Sequence, residues 1–143
     1  MKKYITMFVI AGLYFYFYEI LHILQIESLS NLFSMLIDNN VEGNKIYITP
    51  IYRLSIEIAC DGLDVFFGTL LIFIFIGDTI KRIVFAYILL YILNFIRIFV
   101  TIVAVEIDTE YFTFAHDILG TMILFVYMIY VINRVECWRK KDA

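Results

Sequence analysis

The stretch from Ile83 to Val105 reads IVFAYILLYILNFIRIFVTIVAV and contains one charged side chain, that of Arg97. An apolar run of roughly 20 residues is long enough to cross the hydrocarbon core of a bilayer as a helix. The rest of the chain has the same character, because 63% of its 143 residues are hydrophobic and only 17% are charged. We therefore expect an all-α integral membrane protein.

Further apolar runs approach the length of a span. The predicted spans are residues 4–24, 63–77, 83–105 and 112–132, which gives about four transmembrane helices in a single membrane domain, residues 1–143. Lys2 and Lys3 precede an apolar run, as in a signal peptide. The bulky aromatic segment Tyr14 to Tyr18 and the lack of a small-residue cleavage site favour an uncleaved first span instead.

Basic residues indicate the orientation, since cytoplasmic loops are enriched in lysine and arginine. With the N-terminus inside, the cytoplasmic ends carry Lys2, Lys3, Lys81, Arg82, Arg134, Arg139, Lys140 and Lys141, whereas the outer loops hold Lys45 and Arg53. We predict a multi-pass protein of the cell membrane, surrounded by membrane lipids, with both termini in the cytoplasm. The sequence lacks a stripe of basic residues of the kind that binds nucleic acid.

The main outer loop is predicted over residues 25–59. Within it, Gly43 and Asn44 form a turn signal, and residues 45–49 and 53–58 partly alternate in polarity. This pattern predicts a short β-hairpin over the mouth of a site. Residues 26–37 place apolar side chains near one helical face and are predicted to form an interfacial helix.

Cys60, Arg97 and His116 lie at or inside three successive apolar runs. In the predicted topology Cys60 and His116 begin the second and fourth spans at the outer face. Arg97 lies about 14 residues, or roughly 21 Å, along the third span, which enters from the cytoplasm. The three side chains are therefore expected at one depth near the outer face.

These three residue types suit acyl transfer through a thioester. The thiolate of Cys60 would be the nucleophile, and His116 could take the thiol proton and return it to a leaving amine. Arg97 stays protonated, so it could stabilise the thiolate and the oxyanion of a tetrahedral intermediate. Taken singly, Cys60, Arg97 and His116 each also fit a structural role, and the coincidence of all three favours catalysis. Neither a metal nor an organic cofactor is implied.

Several neighbouring residues could support such a site. Asn94 shares a helix face with Arg97, Gly62 would let backbone approach the nucleophile, and Gly120 indicates a close helix contact. Glu57 could contact Arg97 or Arg53, or remain a solvated loop charge.

Other acidic residues have more ordinary interpretations. Asp64 could pair with Arg97, although an acid in the first turn of a helix is the commoner role. Asp117 is expected to point roughly 100° away from His116, which argues against a Cys/His/Asp triad. For Glu19 and His22 on the first span, mutual pairing or snorkelling is favoured over a metal site.

The order of these residues resembles the exosortase/archaeosortase family, membrane-embedded cysteine transpeptidases of bacteria and archaea. The resemblance covers residues 56–134 and is carried by Glu57-Ile58-Ala59-Cys60-Asp61-Gly62-Leu63, Lys81, Asn94-Phe95-Ile96-Arg97-Ile98, and His116 with Gly120. It implies Cys60 as nucleophile, with Arg97 and His116 completing the active site. Asp61 departs from the Ser or Thr that usually follows the cysteine, and an adjacent negative charge disfavours a thiolate. The chain is similar to a minimal short form of the family.

The resemblance also implies the partners. Substrates would be secreted proteins with a C-terminal signal, a transmembrane helix and a basic tail, cleaved at the outer face and transferred to a surface acceptor of lipid or glycan type. A purely hydrolytic membrane cysteine protease would use the same residues. A small non-enzymatic membrane subunit, such as a transporter component, would instead pair Arg97 with Glu19 or Asp64. Cys137 is expected to be an incidental thiol on the cytoplasmic side.

Overall fold

The protein is mainly helical, as predicted, with a small sheet inserted between its second and third helices. The computed structural model describes residues 2–36, 41–48, 53–57 and 61–142. Its helices are α1 (Lys2–Tyr16), α2 (Tyr18–Leu36), α3 (Leu63–Ile76), α4 (Ile80–Ile107), α5 (Tyr111–Thr113) and α6 (Gly120–Asp142), with a π-helical segment, Phe114–Leu119, between α5 and α6. The strands β1 (Val41–Glu42), β2 (Lys45–Tyr47) and β3 (Arg53–Ser55) form one antiparallel sheet in that order.

Two stretches of the described residues, Ile80–Ile107 and Tyr111–Lys140, are long and apolar enough to cross a membrane. They contain the predicted spans 83–105 and 112–132. The helix α3 matches the predicted span 63–77 but is shorter than a full crossing. By length and composition the described helices give two spans, or three if α1 and α2 count as one, whereas about four were predicted.

The predicted first span, residues 4–24, is not one straight helix. Its two parts, α1 and α2, meet at Phe17 at an angle of 70°. Neither proline nor glycine, the usual cause of a kink, lies at this bend. The helix α2 continues to Leu36, so most of the predicted interfacial helix, together with the start of the predicted outer loop 25–59, belongs to it. The bend brings one face of α2 against the protein, with His22, Gln25, Leu29, Ser30 and Phe33 buried.

The sheet extends the predicted hairpin by one strand. Gly43 has a φ of 59° in the turn between β1 and β2, which confirms the turn predicted at Gly43 and Asn44. The strands β2 and β3 pair with Ile46 opposite Leu54. The connection 49–52 and residue 58 of the predicted strands lie outside the described residues.

Two apolar clusters hold these elements together. The sheet cluster contains Leu29, Phe33, Ile46, Ile56, Ile98 and Ile102. The bundle cluster contains Phe73, Ile76, Ala86, Leu90, Tyr127 and Val131. Because α4 contributes residues to both clusters, its first half packs on α3 and α6 and its second half supports the sheet. Arg97 lies on that second half.

The opposite end of the bundle is closed by Asp78, in the turn between α3 and α4. Its carboxylate accepts hydrogen bonds from Arg82 Nη1 at 2.9 Å and from Arg134 Nε at 3.0 Å. Burial by itself would raise the pKa of Asp78, but the bonds from Arg82, Arg134 and the Thr79 N–H lower it below its usual value. Lys3 Nζ donates to the Phe75 carbonyl nearby, so the first helix is tied to the same end.

Candidate active site

Arg97 and His116 lie side by side where α4 packs against the π-helical segment. Nη2 of Arg97 is 3.1 Å from Nε2 of His116. A guanidinium can only donate hydrogen bonds. Nε2 therefore accepts, and the hydrogen of the neutral imidazole lies on Nδ1. The structure thus brings together two of the three residues that the sequence predicts for one site.

Asp117 completes this group, contrary to the prediction that it points away from His116. Nδ1 of His116 is 2.8 Å from Oδ1 of Asp117, which accepts its hydrogen. Both residues lie in the π-helical segment. A π-helix is wider than an α-helix, so the angle between successive side chains is smaller. Such segments occur frequently at functional sites, and this one gives His116 the carboxylate partner that orients the histidine in catalytic triads.

The ring of His116 is also held by an aromatic contact. Phe112 stacks on the imidazole with ring centroids 5.2 Å apart and planes inclined by 14°. The imidazole is therefore fixed by Arg97 at one nitrogen, by Asp117 at the other, and by Phe112 on one face.

Gly120, the first residue of α6, allows the Arg97 side chain to lie where it does. A Cβ atom added to Gly120 would be 2.6 Å from Nε and 3.1 Å from Cδ of Arg97. Real Cβ atoms essentially never approach heavy atoms that closely. The close helix approach that the sequence indicates at Gly120 is thus a contact with the stem of Arg97.

Gly62, which precedes α3, contacts α4 at Asn94, one turn before Arg97. It has a φ of 79°, a left-handed conformation that favours glycine. A Cβ atom at this position would be 3.5 Å from Cγ of Asn94, whose side chain is buried. The chain between Cys60 and α3 therefore lies against the α4 face that carries Asn94 and, one turn later, Arg97.

Cys60 itself lies outside the described residues, as do its neighbours Ile58 and Ala59. The residues on either side of these three are described. Glu57 is exposed, and Asp61 is buried. The approach of the Cys60 thiol to Arg97 and His116 therefore stays a prediction.

A cavity of about 470 Å³ opens beside Arg97 and His116. One wall is the strand β3 with the two residues that follow it. The other wall is formed by α4, α5 and the π-helical segment. The lining residues are Arg53, Leu54, Ser55, Ile56, Glu57, Arg97, Ile98, Thr101, Phe112 and His116. Glu57 thus lies on the same cavity as Arg53 and Arg97, the two residues that the sequence offered as its partners.

Asp61 has a partner that the sequence analysis did not identify. Its Oδ2 is 2.5 Å from Nδ1 of His22 on α2, and its Oδ1 accepts the Leu63 N–H at 2.9 Å. His22 is 0% exposed and Asp61 is 1% exposed. Burial raises the pKa of Asp61, and the Leu63 N–H and the His22 ring oppose that rise by stabilising the carboxylate. The residue that follows Cys60 is therefore anchored to the bent helix α2.

Tyr14 and Asp64 complete the surroundings of His22. The Tyr14 hydroxyl donates to Oδ1 of Asp64 at 2.6 Å, and its oxygen is 3.1 Å from Nε2 of His22. Since the phenol hydrogen is used by Asp64, the phenol oxygen remains as an acceptor for Nε2. The two ring nitrogens of His22 thus have polar partners, Asp61 at Nδ1 and Tyr14 at Nε2, and Oδ1 of Asp64 is 3.6 Å from Nε2.

Two residue pairs predicted from the sequence differ from the pairs found in the structure. His22 contacts Asp61 and Tyr14, and the predicted pairing with the exposed Glu19 is wrong. Asp64 lies in the first turn of α3, as expected, and pairs with Tyr14 and His22. The Arg97–Asp64 pair of the transporter interpretation is thus replaced by Arg97–His116. The one available signal was chemical, because a carboxylate next to an apolar span needs a partner and the chain has only two histidines.

Comparison with known proteins identifies the chain. The family of transmembrane exosortases matches residues 5–132. The chain belongs to the transmembrane exosortase family. The match includes Cys60, Arg97 and His116 and extends back into α1, beyond the region 56–134 that carried the resemblance. No curated protein and no solved structure matches the chain.

Family membership makes this exosortase a membrane protein of a transpeptidase-type family. Within the described residues, no group of three or more histidine, cysteine, aspartate or glutamate side chains could hold a metal ion. His22 forms a hydrogen bond with Asp61, and Tyr14 forms hydrogen bonds with His22 and Asp64.

Proposed function

We propose that this exosortase is a membrane cysteine transpeptidase. It cleaves a C-terminal sorting signal of secreted proteins at the outer membrane face and transfers the new C-terminus to a surface acceptor. The observation that carries the proposal is the hydrogen-bonded row Arg97–His116–Asp117, whose members Arg97 and His116 line a cavity. Gly62, which precedes α3, contacts Asn94, one turn before Arg97 on α4. Cys60 precedes Gly62 by two residues, which span at most about 7 Å of chain, and we propose that its thiol acts at this row.

The first chemical step would be acylation of Cys60. The thiol proton moves to Nε2 of His116, and the sulfur attacks the scissile carbonyl. The oxyanion of the tetrahedral intermediate accepts hydrogen bonds from the Arg97 guanidinium. His116 then gives its proton to the leaving amine, the C–N bond breaks, and a thioester to Cys60 remains.

The second step would release the thioester. An acceptor amine or hydroxyl attacks the acyl carbon and loses its proton to Nε2 of His116, and the thiolate of Cys60 leaves. The Asp117 carboxylate stabilises the imidazolium that forms in both steps, since it already accepts the Nδ1 hydrogen.

The contact between Arg97 and Nε2 defines the resting state in this mechanism. Arg97 occupies the nitrogen that must accept the thiol proton. Entry of the substrate carbonyl gives the guanidinium a better acceptor and frees Nε2 for Cys60. Substrate binding would therefore activate the base.

The proposed topology follows the distribution of basic residues. The end of the bundle with Lys3, Arg82 and Arg134 faces the cytoplasm, and the sheet and the cavity face outside. Substrates would present a signal outside, a transmembrane helix, and a basic tail inside. The acceptor is a lipid or glycan-type nucleophile, and water as acceptor would make the enzyme a protease.

Alkylation of Cys60 tests the site without a substrate. A membrane-impermeant maleimide is applied to intact cells that carry the Cys137→Ser variant, and the rate is compared with that after Arg97→Ala or His116→Ala. We expect rapid labelling from outside and a rate that falls at least tenfold after Arg97→Ala, because a nearby cation favours the thiolate. His116→Ala should lower the rate less, since Arg97 occupies Nε2 until substrate enters. Labelling that is slow in all three proteins would contradict the proposed site.

Processing tests the reaction. The reporter is a secreted host protein chosen because it carries a C-terminal signal, a transmembrane helix and a basic tail. Cys60→Ser should leave it uncleaved, while Cys137→Ser should process it normally. Mass spectrometry of the product distinguishes a conjugated C-terminus from the free carboxylate of a protease. Normal cleavage by the Cys60→Ser variant would refute cysteine catalysis.

A further inference from the structure

The cavity beside Arg97 runs along a strand edge. Five consecutive residues, from Arg53 to Glu57, line it. Successive side chains of a strand point to opposite faces, so a cavity on one face would be lined by alternate residues only. A lining that includes every residue of β3 and of its continuation means that the cavity follows the backbone edge.

The pairing of β3 shows which backbone groups face the cavity. Ile56 donates its N–H to the Asn44 carbonyl at 2.8 Å, and its own carbonyl accepts from Asn44 Nδ2 at 3.1 Å. Ile56 and Leu54 therefore direct their N–H and C=O groups toward β2. The groups of the alternate residues Arg53, Ser55 and Glu57 point the other way, toward the cavity.

Among the described residues, β3 is an edge strand, since the sheet has the order β1-β2-β3. It is also well supported. Ile56 belongs to the sheet cluster, and Leu54 packs against it. The edge is therefore a fixed row of hydrogen-bonding groups opposite Arg97 and His116.

The charges at the cavity restrict what it can hold. Two guanidinium groups, those of Arg53 and Arg97, and one carboxylate, that of Glu57, belong to its lining. The net positive charge is complementary to a neutral or acidic segment and unfavourable to a lysine-rich or arginine-rich one.

We propose that the substrate segment containing the scissile bond binds as an added strand on the edge of β3. Its main chain pairs with Arg53, Ser55 and Glu57 and lies across Arg97 and His116. Addition of an extended peptide to a sheet edge derives affinity from main-chain hydrogen bonds. The proposal rests on the proposed function, because its occupant is the transpeptidase substrate.

Ser55 offers the sharpest test. Ser55→Pro removes one N–H that faces the cavity, and proline is tolerated at an edge where that N–H is not used by the sheet. Ser55→Ala is the matched control, because it removes the hydroxyl and keeps the N–H. We expect Ser55→Pro to process the reporter protein about tenfold more slowly than Ser55→Ala does. Maleimide labelling of Cys60 should be the same in both.

Replacement of residue 55 by the α-hydroxy analogue of alanine gives a second measurement if the proline variant is unstable. This change exchanges the N–H for an ester oxygen and retains the strand conformation. We expect a similar loss of processing relative to Ser55→Ala. Wild-type processing by the ester variant would overturn strand addition. If Cys60→Ser abolishes processing at the same time, the proposed function stands and only the binding mode fails.

Discussion

The two histidines of this exosortase each contact an aspartate through Nδ1, yet their surroundings differ. His22 and Asp61 are both fully buried, with side chains 0% exposed. His116 and Asp117 have side chains 28% and 62% exposed, and His116 lines the cavity. The same pair of residue types therefore occupies an interior position and a position open to substrate.

The difference lies in the second ring nitrogen. Nε2 of His22 is held by Tyr14, whose ring stacks on Phe67 at 3.8 Å. Nε2 of His116 accepts a hydrogen bond from Arg97, which lines the cavity beside it. A histidine whose two nitrogens have fixed internal partners stabilises the fold, whereas one with an exchangeable partner at a cavity can transfer protons.

Removal of His116 should have the largest effect on activity. We expect His116→Ala to reduce processing of the reporter protein by about 10²-fold or more, the usual contribution of a general acid and base. Its unfolding temperature in detergent should stay near that of the wild type, because His116 is partly exposed. Normal processing by this variant would show that His116 is not the general base.

Removal of His22 should reduce the stability of the protein, whereas removal of His116 should reduce its activity. His22→Gln leaves the buried Asp61 without its ring partner and should lower the free energy of unfolding by about 3 kcal/mol. The double variant His22→Gln with Asp61→Ser should recover part of this loss, since no buried carboxylate then needs a partner. Denaturation in mild detergent measures both.

Glu19→Gln on the same helix is the control for His22, because Glu19 is exposed. It should leave the stability unchanged. A double variant that is no more stable than His22→Gln alone would show that the ring acts by packing and not by compensating the carboxylate.

Gly120→Ala tests whether Gly120 positions Arg97 beside His116. The added methyl group would contact Arg97 Nε and displace the guanidinium from His116. We expect processing to fall by about tenfold, since small misplacements of a positioned group reduce rates strongly. Gly68→Ala is the matched control, because a Cβ atom there meets nothing within 4 Å. Equal activities of the two variants would contradict the positioning of Arg97 by Gly120.

Asp78 provides a second buried carboxylate, paired with arginine instead of histidine. Its folded-state pKa lies below the usual value of 3.8. Its stabilising contribution is therefore fully present above that pH and is lost as the pH falls through the folded-state pKa. We expect Asp78→Asn to lower stability at pH 7 by about 2 kcal/mol and to flatten the decline below about pH 4, roughly the unperturbed pKa of aspartate. Parallel pH profiles of the two proteins would contradict this contribution.

The apolar runs of the long helices could be predicted because hydrophobic periodicity is local. Residues 83–105 and 112–132 lie within helices of the structure, and Gly43 forms the predicted turn. The bend at Phe17 could not be predicted, since no proline or glycine marks it. The residues on either side of the bend, Tyr14 and His22, contact residues about 40 to 50 positions away.

The sequence established that this is a mainly helical membrane protein, and it predicted Cys60, Arg97 and His116 as the residues of acyl transfer. Composition and residue chemistry suffice for this, because hydrocarbon tolerates charged groups only at a cost. Which side chains contact one another became clear only from the tertiary structure. In the structure Arg97 contacts His116, and Asp61 contacts His22. Asp117 contacts Nδ1 of His116 because both residues lie in the π-helical segment. These contacts depend on helix crossings and on local backbone geometry, which sequence spacing does not specify.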